Sequence, residues 1–83
     1  MPKDLVMRRG ARAVRLLRNT TWKCGEVERM VVRAILEELE VRPRAGEVPI
    51  QNVVRRLERI GISRDRALDA LARLQKRRIV ELR

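Results

Sequence analysis

Eighty-three residues make one small domain, able to bury only about 60% of its unfolded surface. One cysteine (Cys24) and no histidine exclude an intrachain disulfide and a Cys/His zinc site. With Trp22 as the sole aromatic ring, the chain is poorly equipped to read unstacked bases as RNA-recognition sheets and single-strand binders do. Twenty-one basic residues against eleven acidic ones leave a net charge of +10, and eighteen of the twenty-one are arginine, the better bidentate partner for phosphate. A GC-rich or thermophilic genome would favour arginine regardless of function, but charge this high repels itself until a polyanion neutralises it. The excess is uneven. Residues 1–23 carry a net +6, residues 24–48 a net −2 and residues 49–83 a net +6. No apolar run approaches the roughly 20 residues of a bilayer span, and none resembles a signal-peptide core. A soluble cytoplasmic protein with a reduced Cys24, associated with nucleoid or ribosome and not with membrane, is expected.

In chain order, the spacing predicts a basic helix over residues 3–18, behind Pro2 and stopped at Asn19. Val6, Gly10, Ala13, Val14 and Leu17 share one side of it, with Arg8, Arg12, Arg15 and Arg18 spread over the other. Gly10 costs such a helix about 1 kcal/mol. Residues 1–23 are therefore expected as a helical extension, and residues 24–83 as the domain proper. Thr20, Thr21 or Gly25 is placed to cap the next helix, residues 26–41, whose first turn holds Glu26 and Glu28. Val27, Met30, Val31, Ala34, Ile35 and Leu39 form its inner face, with Glu37, Glu38 and Glu40 outward. Pro43 ends it, because the residue before a proline is pushed out of helical geometry.

Glu47 and Val48 fit a short strand, and Pro49 suits the first turn of the helix that follows. Ile50, Val53, Val54, Leu57 and Ile60 keep helical spacing over residues 50–60. Gly61 is placed for the left-handed C-cap, with Ile62 folding back towards Leu57. Ser63 caps the last helix, and Asp65 lies in its first turn. Ala67, Ala70, Leu71 and Leu74 face inward; Asp65, Arg66, Asp69, Ala72, Arg73 and Lys76 face outward, with Arg77 at the edge. Residues 79–82 form a closing strand expected to pair with residues 47–48. The predicted fold is mainly α: a winged helix-turn-helix-like three-helix body with a two-stranded sheet and a truncated wing.

Residues 48–83 resemble the C-terminal winged-helix domain of archaeal and eukaryotic MCM replicative helicases. The likeness lies in Val48-Pro49-Ile50 followed by Val54 and Leu57, then Gly61-Ile62-Ser63, the Ala70-Leu71 and Leu74 spacing, and Ile79-Val80-Glu81. The segment is similar, more loosely, to archaeal transcription regulators and to winged-helix proteins of the small ribosomal subunit. The resemblance implies a winged-helix fold and an accessory binding role, without the helicase ATPase. It departs from the family at Lys76-Arg77-Arg78, where a Gly often precedes the closing strand, and in the wing, since the chain stops at Arg83.

A non-enzymatic nucleic-acid-binding protein is the reading that charge and fold favour, with double-stranded DNA as the preferred partner. Arg66 and Arg73 stand where a groove-facing helix would contact DNA, although Asp69 lies one turn before Arg73 and is spaced to pair with it. Phosphate contacts, which position a protein without specifying sequence, are expected from Arg8, Arg9, Arg12, Arg15, Arg18, Arg55, Arg56, Arg59, Arg64, Lys76, Arg77 and Arg78. A small rRNA-bound ribosomal protein of a thermophilic archaeon fits the same charge. So does a protein-docking module anchored by Trp22 and the apolar side of residues 3–18. No catalytic residue, metal or other cofactor is expected. Cys24 lacks a histidine partner, and no acid-base pair is legible.

Overall fold

The computed structural model describes residues 11–42 and 44–83. They form β1 (Ala13–Leu16), α1 (Glu26–Val41), β2 (Val48–Pro49), α2 (Ile50–Arg59), α3 (Arg64–Lys76) and β3 (Val80–Leu82). The architecture is mainly helical, with one antiparallel sheet in the order β2-β1-β3. Val14, Val31, Ile35, Val48, Val53, Leu57, Leu71, Leu74 and Val80 are fully buried, so strands and helices close one aliphatic core. Each such side chain contributes about 1.5–3 kcal/mol when withdrawn from water.

The three helices lie where their periodicity places them. α1 starts after Gly25, with Glu26 and Glu28 favouring its positive end. Val31, Ala34 and Ile35 are buried, while Val27, Met30 and Leu39 pack partly buried against them. Pro43, expected to stop this helix, lies outside the described residues. α2 ends in a Schellman turn: Gly61 takes φ +91°, its N–H donates to the Glu58 carbonyl (3.1 Å), and Ile62 N–H donates to Leu57 (2.9 Å). Ile62 is buried, as expected. Ser63 Oγ accepts the Arg66 N–H at 3.3 Å and caps α3.

Four expectations need correction. Residues 13–16 are a strand, not part of a helix; the rest of the predicted helix up to Gly10 lies outside the described residues. Over so short a run a period of two competes with a period of 3.6. Here Val14 is buried and Arg15 exposed, while Leu17, assigned to the apolar side of the helix, is 49% exposed. Position in the sheet decides the matter. β1 pairs with β2 (Val14 with Val48) and with β3 (Val14 with Leu82, Arg15 with Glu81, Leu16 with Val80). Without it both neighbours would present unpaired backbone. β2 and β3 therefore do not pair, the sheet has three strands instead of two, and part of the supposed extension is its central strand.

Second, Glu38, expected outward, is only 8% exposed because it faces α2. Third, Ile60, expected in the inner row of α2, is 62% exposed, since the helix ends at Arg59 and the turn swings Ile60 off that face. Fourth, Ala72, expected outward, is buried, as is Leu68. α3 packs against α1, α2 and β3 together, and so buries a wider arc than a helix with one neighbour. Among the described residues no helix is long and apolar enough to cross a membrane.

Candidate nucleic-acid interface

Charge is segregated by element. α1 carries five carboxylates against two arginines, whereas α2 and α3 together carry seven cations against three carboxylates. The three-and-four spacing of Arg66, Asp69, Arg73 and Lys76 puts them on one outward stripe of α3. Arg66, Arg73 and Lys76 are exposed and Asp69 is half-buried. Among the described residues Asp69 makes no ion pair with Arg73, so the stripe keeps its positive character. Arg55 and Arg59 project from α2, the helix joined to α3 by the Gly61 turn, and are likewise exposed.

The fold brings Arg12 and Arg64 together. Both line a groove of about 580 Å³ between the start of β1 and the N-terminal turns of α2 and α3, floored by Ile50, Val54 and Leu68. The Arg12 carbonyl accepts the Ile50 N–H at 2.8 Å, which fixes β1 against the start of α2. Arg15 lies on the outer face of the sheet opposite Glu81. With Arg12 and Arg83 it lines a second cleft of about 620 Å³, where Arg83 is paired with Glu47 at 3.7 Å. Arg8 and Arg9 lie outside the described residues.

Three of the predicted contact residues are occupied within the fold. Arg56 Nε donates to Glu38 Oε2 at 2.6 Å, and its Nη1 lies 3.6 Å from Glu37. Asn52 Nδ2 donates to the other Glu38 oxygen at 3.0 Å. The Arg56 hydrogen bond, helped by Asn52, holds the Glu38 carboxyl below the usual carboxylate range, against the opposing effect of burial. Arg18 Nη2 donates to the Arg77 carbonyl at 2.7 Å, and Arg77 Nη1 donates to the Lys23 carbonyl at 3.1 Å. These guanidinium groups pin one segment to another, which limits their reach towards phosphate.

Arg78 is exposed and takes φ +58°, in the left-handed region. Its N–H donates to Gln75 and that of Ile79 to Leu74, both at 3.0 Å, so α3 ends in the same turn as α2 with arginine in the glycine position. Lys76-Arg77-Arg78, with no glycine, thus still forms the turn. Lys23, absent from the predicted contacts, proves to flank Trp22, with Nζ 4.8 Å from the ring centroid. Its adjacency to the only aromatic residue was the available signal. Compared with known proteins, the chain matches no family model, no curated protein and no solved structure.

Proposed function

We propose that the protein is a non-enzymatic, cytoplasmic nucleic-acid-binding module of winged-helix type that holds double-stranded DNA mainly through its phosphates. The observation that carries this reading is the un-neutralised outward stripe of α3, Arg66, Arg73 and Lys76, on the second helix of a helix-turn-helix. Asp69 within that stripe opposes close approach to a phosphate and weakens any case for reading base edges there.

The sheet adds a second support. In a winged helix, the strand after the second helix returns through a basic hairpin. Here the strand beside β3 is β1, and the two are joined where Arg12 and Ala13 N–H donate to the Arg83 carbonyl at 2.8 and 3.0 Å. On this reading β1 stands in for the return strand, supplied from the N-terminal side.

A salt titration on duplex DNA and on structured RNA tests the reading. On duplex DNA, log affinity should fall linearly with log salt at about −0.9 per phosphate neutralised, near −4 to −5 for about five contacts. Binding indifferent to salt would refute it. Tighter binding to structured RNA at equal ionic strength would replace it with an rRNA-bound structural role.

A further inference from the structure

We infer that the joint between β1 and α1 is a second, independent contact for nucleic acid, where Trp22 stacks an unpaired nucleobase and Lys23 beside it meets the adjoining phosphate, while Arg18 and Arg77, held within the fold, add only to the local positive potential. Trp22 is 71% exposed although it is the only aromatic residue in the chain. A small domain with an all-aliphatic core had every reason to bury it.

The backbone beneath it is nevertheless firmly held. Arg29 Nε donates to the Thr21 carbonyl (3.1 Å) and its Nη2 to the Trp22 carbonyl (2.9 Å). Cys24 N–H donates to Thr21 (3.0 Å), and Arg77 Nη1 donates to Lys23 (3.1 Å). The ring is thus presented to solvent from a braced turn, and its exposure is a property of the fold.

Its surroundings select the occupant. Trp22 borders a cleft of about 650 Å³ with Arg18, Lys23 and Arg77 on its walls and Cys24 and Ile79 below; among the described residues no carboxylate lines it. Lys23 Nζ stands over one ring face, 4.8 Å from its centroid, which leaves the other face for a flat partner. A flat aromatic partner joined to negative charge is what a nucleotide offers. In a duplex both faces of each base are covered by its neighbours, so the site takes a base in a single strand, bulge or loop. One ring falls far short of the multi-aromatic platform of a single-strand binder, but it suffices for one base. An apolar protein anchor would instead want apolar walls. The site shares no residue with the α3 stripe, so it stands or falls independently of duplex binding.

Because Trp22 is the sole strong fluorophore, its emission reports on the site directly. Single-stranded DNA and RNA 12-mers should quench it by half or more at saturation, whereas inorganic polyphosphate and an abasic strand of equal length should leave it nearly unchanged. Trp22→Ala should weaken single-strand affinity roughly ten-fold, Trp22→Phe should restore most of it, and duplex affinity should stay put. Equal quenching by polyphosphate, or single-strand affinity unchanged in Trp22→Ala, would overturn the assignment. A self-association that Trp22→Ala dissolves would also overturn it, in favour of protein docking.

Discussion

The seam between α1 and α2 and the outward stripe of α3 are both rich in arginine, yet they are opposite in kind. In the seam, Arg56 is answered by Glu38 at 2.6 Å, Asn52 completes that carboxylate, and Glu37 stands nearby. On α3, Arg66, Arg73 and Lys76 have no partner among the described residues. The seam uses its arginine to join two helices. The stripe leaves its cations without a carboxylate partner among the described residues, as the proposed phosphate binding requires. In a chain of net charge +10, the proposed binding would be governed by which cations lack an acceptor, more than by how many there are.

The largest disruption removes the sheet that underlies both regions. Deleting residues 1–18 takes away the central strand and the buried Val14, and circular dichroism should show loss of the cooperative thermal transition. Deleting residues 1–10 should leave that transition in place and only flatten the salt slope on duplex DNA. A folded protein lacking residues 1–18 would contradict the sheet order.

Next comes the contrast itself. Arg56→Ala leaves a buried carboxylate with Asn52 alone and should cost about 2 kcal/mol in urea unfolding, with the salt slope unchanged. The double change Arg66→Ala and Arg73→Ala should do the reverse, keeping stability within about 0.5 kcal/mol and reducing the slope by about 2. If Arg56→Ala altered the slope as much, the division into joining and contacting arginines would fail.

Acid should act on the seam through Glu38. Glu38 has a folded pKa below its ordinary value, so its stabilising contribution is present above the unfolded pKa, near 4.5, and is lost as pH falls through the lowered folded value. Wild type should therefore lose stability between about pH 5 and pH 3 more steeply than Glu38→Gln, by urea midpoints across that range.

The smallest effect concerns the two matched turns. Gly61 suits its positive φ, whereas Arg78 bears a cost of about 1 kcal/mol in the same conformation. Arg78→Gly should raise stability by about that amount and, if the side chain touches phosphate, lower the salt slope by about 1.

The helices were legible because their information is local. α1 and α3 have long periodic faces, and Gly61 and Ser63 mark the turn between α2 and α3 with residues chosen for its geometry. β1 was not legible, since Ala-Val-Arg-Leu fits either period and its partners lie far along the chain, at Val48 and at Val80–Leu82. The interface was legible only as a list of cations. Arg55 and Arg56 are neighbours in sequence and alike in chemistry, but only Arg56 meets Glu38, eighteen residues earlier. Nothing local separates them.

A sheet whose middle strand is made first and whose last edge is made last imposes an order of events at the ribosome. β1 leaves the exit tunnel before α1, α2 and α3, and one of its two flanking strands appears only with residues 80–82. At about 5–20 residues per second, the nascent chain holds an unclosed strand for several seconds. Closure of the sheet then waits for β3.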